Sequence, residues 1–200
     1  MGRTLLLICD VQASFGGIIH GYEHLVYTTN KFLRFAKLLD IPAVATTQYS
    51  KGALGPLDPS IDVSSLGELY LGAHDKTKFG MLIPEVTAHI SDDTERVVLL
   101  GMESHICILQ TVLALHEHYP KLIIHVLADA ISSVNRFEVP IALQQMRSCG
   151  PRVRITTSES LAFELMGDAK HPRFKEFAKI VKEEKDRTKE AGDVLVAGRL

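Results

Sequence analysis

No apolar run in the chain approaches the roughly 18 residues that a membrane-spanning helix needs. Cysteine is scarce. Cys9, Cys107 and Cys149 are the whole set, and no two of them form a CxxC pair. That pattern offers neither a disulfide framework nor a zinc knuckle, and it points to a reducing compartment. The nine histidines are scattered and contain no HExxH motif, and the one HxH pair, His116-Glu117-His118, falls in a helical pattern where such positions point to different sides, so no metal is expected at ligand spacing. An excess of charge is lacking too. The net charge is −2, which argues against a broad nucleic-acid footprint. The densest cationic stretch, KHPRFKEFAKIVKEEKDRTK, alternates in sign as a solvated helix face does. The first apolar run begins within a few residues of Met1, which leaves no room for a signal or transit peptide ahead of it. Neither nucleic acid nor a membrane is an expected partner. The expected location is the cytoplasm, and mitochondrial association would need a signal other than an N-terminal transit peptide.

What the chain does have is apolar runs of strand length. Across 200 residues it is 46% hydrophobic and 23% charged, enough to bury the core of one domain. TLLLICD (4–10), PAVATTQY (42–49), RVVLLG (96–101), KLIIHVLAD (121–129) and the weaker PRVRITT (151–157) are continuous rather than alternating. Strands buried on both faces read that way. Between them lie helical patterns at 22–39, 106–118, 135–149, 158–165 and 174–181, with apolar side chains every three or four residues. The alternation predicts an α/β fold: a three-layer, Rossmann-like parallel sheet with helices on both faces. One domain is expected over 1–187, followed by a flexible tail over 188–200. Residues 50–85, rich in glycine and proline, read as one long irregular loop.

Ligands of an open parallel sheet bind beyond the carboxyl ends of its strands. Asp10 ends the first strand, Gln48-Tyr49 the second, Gly101 the third and Asp129 the fourth. Cys107 follows Gly101 closely and falls in the first turn of the next helix, where unpaired N–H groups favour a thiolate. A thiolate there is a nucleophile, and a strand-end carboxylate can move protons. Each residue also has a bland reading. A cysteine behind a buried strand is more often a small core side chain, and an aspartate there often only caps a turn. His105 and Cys107, two apart on a helix, point to different sides and form no dyad. Cys9 and Cys149 read as structural, and Asp129 reads as the start of a loop into the next helix.

The stretches LLLICDVQASF, TTQYSKGALGP, KTKFGM, LLGMESHICILQT, HVLADAISS and GDAKHPRFKEF together resemble the isochorismatase-like cysteine hydrolases, over about residues 4 to 183. The likeness is greatest to the eukaryotic isochorismatase domain-containing branch. The resemblance implies an isochorismatase-like fold and a catalytic triad of Asp10, Lys76 and Cys107, with Lys76 selected over Lys78 by its distance from Phe79. It implies a cis peptide at Met102-Glu103 and an oxyanion hole made by the backbone N–H groups of Glu103 and Cys107. Gln12, Phe15, Gln48, Tyr49, Phe79, Met102 and His105 are then candidates for the pocket. The expected activity is hydrolysis of a small amide or related C–N substrate through a thioester. No cofactor is expected, and relatives' habits imply a homo-oligomer, a dimer or tetramer. The zinc-holding Asp-x-His pair of nicotinamidases is replaced by Gln48-Tyr49-Ser50, so no metal carries over. Isochorismatase itself lacks the cysteine, so its reaction does not carry over either. Some of this branch are labelled mitochondrion-associated ribonucleases, which leaves that activity, or a non-hydrolytic binding or scaffold role, as the alternatives.

Overall fold

The computed structural model describes residues 2–197. Its centre is a six-stranded parallel sheet made of β1 (Arg3–Cys9), β2 (Ala43–Gln48), β3 (Tyr70–Lys76), β4 (Thr94–Met102), β5 (Ile123–Ser132) and β6 (Val153–Thr156), in the order β3-β2-β1-β4-β5-β6. The helices are α1 (Tyr22–Leu38), α2 (Pro84–Thr87), α3 (Leu109–His118), α4 (Glu138–Ser148), α5 (Ser158–Met166), α6 (Phe174–Glu183) and α7 (Lys185–Leu195). This is the expected three-layer α/β fold.

Alternate residues of one strand feed two cores, which is why the central strands read as unbroken apolar runs. Leu6, Ile8, Val98 and Leu100 pack with Phe32 and Phe35 of α1, Leu161 of α5 and Phe177 of α6. Leu5, Leu7, Val97 and Leu99 pack on the other face with Val112 of α3 and Leu143 and Met146 of α4. The chain leaves β1 toward β2 on one side, and β4 adds on the other. The crevice beyond the ends of β1 and β4 is therefore the topological switch point, where ligands bind in such sheets.

Three expectations need correction. Residues 50–85 are not one loop, because Tyr70–Lys76 forms the edge strand β3. Its sequence, YLGAHDK, has no apolar run, since an edge strand is half exposed. Asp129 does not end its strand. β5 runs on to Ser132 after a shift in its register with β4, and the Asp129 carboxylate accepts the Ser158 N–H (2.7 Å) and hydroxyl (2.5 Å) at the start of α5. Most of the expected tail is helical. Lys185–Leu195 forms α7, with Ala191 and Leu195 buried. Tyr27 of α1 donates its hydroxyl hydrogen to the Glu184 carbonyl, and Arg187 lies over the Tyr27 ring, 4.1 Å from its centre. The dense charge of KDRTKE hid that sparse apolar side. Residues 198–200 lie outside the described residues.

His125 on β5 is fully buried, and among the described residues neither ring nitrogen has a hydrogen-bond partner. Burial pushes its pKa down to about 4, against about 6.5 in an unfolded chain. As the pH falls, the unfolded state takes up this proton first. Stability is therefore intact above about pH 6.5 and declines as the pH drops toward 4, by on the order of 3 kcal/mol. His125→Leu is expected to remove that share of the acid sensitivity in melts between pH 7 and pH 4.5. A variant whose melting temperature runs parallel to the parent's across the range would contradict the assignment.

Candidate active site

Asp10 is the first residue past β1 and adopts a left-handed φ of 52°, a region that aspartate tolerates better than most residues. Thr46 of β2 holds it twice. The Thr46 carbonyl accepts the Asp10 N–H at 3.1 Å, and the Thr46 hydroxyl donates to Oδ1 at 2.8 Å. Oδ2 is thereby left to face the crevice. Lys76 is the last residue of β3, two strands away, yet its Nζ reaches Asp10 Oδ2 at 2.7 Å. That ammonium also donates to Gln48 Oε1 at 2.6 Å and to the carbonyls of Lys78 (3.1 Å) and Phe79 (2.9 Å). Cys107 Sγ lies 3.7 Å from it. Asp10, Lys76 and Cys107 are 2%, 3% and 7% exposed, so the ion pair is strengthened by its dry surroundings. Burial works against the Lys76 charge, but the facing Cys9, Asp10 and Cys107 outweigh it and raise the ammonium's pKa above its ordinary value.

Cys107 does not sit in a plain helical turn. Ser104–Ile108 forms a short π-helical turn ahead of α3, in which the Glu103 carbonyl accepts both the Ile106 and Ile108 N–H groups at 3.1 Å. Such widened turns recur at functional sites. The Met102-Glu103 peptide before it is cis. The Thr111 hydroxyl donates to the Cys107 carbonyl at 2.6 Å and accepts the Met81 N–H at 2.9 Å, which fixes the turn against the segment following β3.

The cluster opens into a cavity of about 150 Å³ lined by Asp10, Phe15, Gln48, Phe79, Met102, Glu103, Ile106 and Cys107. Two larger clefts, of about 510 and 830 Å³, lie around Leu38, Asp40 and Arg173, and neither contains a cysteine. Three pocket candidates are absent from the small cavity's lining. Gln12 is a brace, with Oε1 accepting the Gln48 N–H and Nε2 donating to the Gly55 carbonyl. Tyr49 is 59% exposed on the loop after β2. His105 turns away, with Nδ1 3.0 Å from Ser133 Oγ.

Two residues at the site were missed. Ile106, between His105 and Cys107, gave no signal beyond its place in an apolar pattern. Cys9 looked like a strand-core residue. Its Sγ lies within 4.8 Å of Cys107 Sγ and of an Asp10 oxygen, and its thiol donates to Asp10 Oδ2 at 3.6 Å. Burial, the contact with Cys107 and the Asp10 charge push the Cys9 thiol well up, which keeps it protonated. Cys9, Asp10 and Cys107 are the one group of potential metal ligands among the described residues, but the Lys76 ammonium already supplies their cation.

The isochorismatase domain model matches residues 4–160. The chain belongs to that family. Isochorismatase domain-containing protein 2 of Xenopus laevis is 38% identical, over 90% of this chain and 84% of its own length. A structure described as the MAR1 ribonuclease of Caenorhabditis elegans superposes with a TM-score of 0.82 at 35% identity, covering 90% of each chain. The Escherichia coli YcaC product, described as an octameric hydrolase of unknown specificity, gives a TM-score of 0.80 at 18% identity, over 94% of this chain and 91% of its own. That likeness shows the shared fold. Membership of the family places this chain in the isochorismatase-like hydrolase superfamily. No described helix is long and apolar enough to cross a membrane.

Proposed function

We propose that this chain is a cysteine hydrolase of small amides or related C–N substrates. Asp10 takes the Cys107 proton, and the sulfur attacks the carbonyl carbon to give a tetrahedral oxyanion facing the Glu103 and Cys107 N–H groups. Lys76 offsets the negative charge that passes between sulfur and carboxylate. Asp10 then returns the proton to the departing nitrogen, and the C–N bond breaks to leave a thioester. Water, deprotonated by Asp10, adds to the thioester and releases the acid and the thiol. The observation that carries this reading is one ammonium placed 2.7 Å from a carboxylate and 3.7 Å from a cysteine sulfur at the end of a cavity.

Alkylation with limiting iodoacetamide, followed by peptide mapping, tests it. Cys107 is expected to react about tenfold or more faster than glutathione at pH 7, while Cys9, held as a thiol, stays unlabelled. Cys107→Ser should also abolish transfer of the acyl group to hydroxylamine. A Cys107 rate equal to that of glutathione would sink the proposal. The likeness to the MAR1 ribonuclease structure of Caenorhabditis elegans favours a second reading, a ribonuclease. RNA cleavage that survives Cys107→Ser and weakens steeply with salt would support it. The first reading also carries a small-molecule substrate, a cytoplasmic location and assembly into a dimer or tetramer, which light scattering would check.

A further inference from the structure

The cavity's size and wall chemistry narrow the substrate beyond "small amide". Its volume of about 150 Å³ falls below the usual ligand-pocket range of roughly 300–1,000 Å³. It is about the space in which one benzene-sized molecule is held. Phe15, Phe79, Met102 and Ile106 supply apolar walls. Met102 is 1% exposed and Phe79 60%, which puts methionine at the floor and phenylalanine at the mouth.

The charges in the lining are acidic. Asp10 lies beside the nucleophile, and the Glu103 carboxylate is tied to the Val134 N–H at 2.9 Å. No lysine, arginine or histidine belongs to the lining. The buried Lys76 cannot turn toward a guest. Its ammonium faces Asp10 Oδ2, Gln48 Oε1, the Lys78 and Phe79 carbonyls and Cys107 Sγ, more acceptors than it has protons. The Gln48 side chain is also engaged, since its Nε2 donates to the Thr77 carbonyl at 3.0 Å. A substrate carboxylate would lose its hydration beside the Asp10 carboxylate and find no free cation.

We propose that the site selects an uncharged amide whose acyl part is short and apolar, no larger than about a phenyl ring, and rejects amides that carry a carboxylate. This rests on the cysteine-hydrolase reading, and the two can fail separately. Iodoacetamide and iodoacetate are nearly isosteric and differ by one charge. Their rates at Cys107 in the full chain, each divided by the rate with glutathione, give an intrinsic charge selectivity. The neutral reagent is expected to be favoured by a further 30-fold or so over glutathione's own preference, the effect of burying an unpaired charge. A normalised ratio of one or below overturns the inference, even if both absolute rates are high. Low absolute rates with the ratio preserved count against the nucleophile and leave the charge selection standing.

Phe79→Arg places a cation at an exposed wall position and should cut the ratio at least tenfold. An unchanged ratio means that the cavity wall does not impose the selection. Benzamide should slow Cys107 alkylation, while benzoate and 2-naphthamide at equal concentration should not. Equal protection by benzoate overturns the charge rule, equal protection by 2-naphthamide overturns the size limit, and no protection by benzamide overturns the assignment of the cavity as the substrate's place.

Discussion

Gly101→Ala is expected to be the most damaging single methyl group that can be added to this chain. Gly101 lies near the end of β4, paired with Cys9 of β1, at a φ of 119°. A Cβ there would stand 2.1 Å from the Cys9 carbonyl oxygen and 2.8 Å from the Cys9 carbonyl carbon and nitrogen. All three are backbone atoms of the central strand, so no side chain can swing aside. The φ value adds a second cost, because L residues rarely adopt it. Together these reach the exceptional class of more than about 4–5 kcal/mol. That corresponds to a fall in melting temperature of roughly 10–20 °C for a chain this long, or to loss of soluble protein. Gly150→Ala is the control. Its φ is 109°, yet a Cβ would meet nothing within 4 Å, so only the backbone cost of about 1–3 kcal/mol remains. Equal effects at the two positions would mean that the close approach of β4 to β1 is softer than the geometry implies.

Lys76→Met is expected to damage stability and chemistry together. Methionine nearly fills the space but leaves the Asp10 carboxylate, 2% exposed, without its cation. Removing one partner of a buried ion pair costs about 3–5 kcal/mol. Gln48 Oε1 and the carbonyls of Lys78 and Phe79 lose a donor as well. Cys107 alkylation at pH 7 should fall on the order of tenfold or more, since the positive charge 3.7 Å from the sulfur is gone. Asp10→Asn combined with Lys76→Met separates the two effects. The double variant no longer buries a lone charge and should regain most of the lost melting temperature, while its thiol stays slow. If the double variant melts no higher than the single one, the ammonium's main structural task is holding the two carbonyls, and the carboxylate is secondary.

The parallel sheet was legible where strands are buried on both faces. β1 and β4 are unbroken apolar runs because alternate residues enter different cores. β3 was illegible because an edge strand needs no such run, and YLGAHDK carries a glycine, a histidine and two charges instead. The helical state of 185–195 was hidden because α7 buries only Ala191 and Leu195 fully, too sparse a stripe to read through the charges. At the site, strand-end logic alone picked out Asp10 and the region of Cys107. It left Lys76 and Lys78 indistinguishable, and only the family's spacing separated them. The structure puts Lys76 Nζ in the crevice and uses Lys78 through its carbonyl. Cys9 escaped notice because its neighbour in space, Cys107, arrives only through the pairing of β1 with β4, which no local pattern encodes.

The register of Cys9 with Gly101 also sets an order in time. A ribosome delivers Asp10 first, then Lys76, then Cys107, and the turn that carries Cys107 hangs from β4, which must add to β1 on the side away from β2. Four of the six strands have to exist before sulfur, ammonium and carboxylate can meet. A nascent chain therefore passes through a stage with Asp10 and Lys76 made but Cys107 missing, and on the proposed mechanism a fragment ending before β4 would be chemically silent.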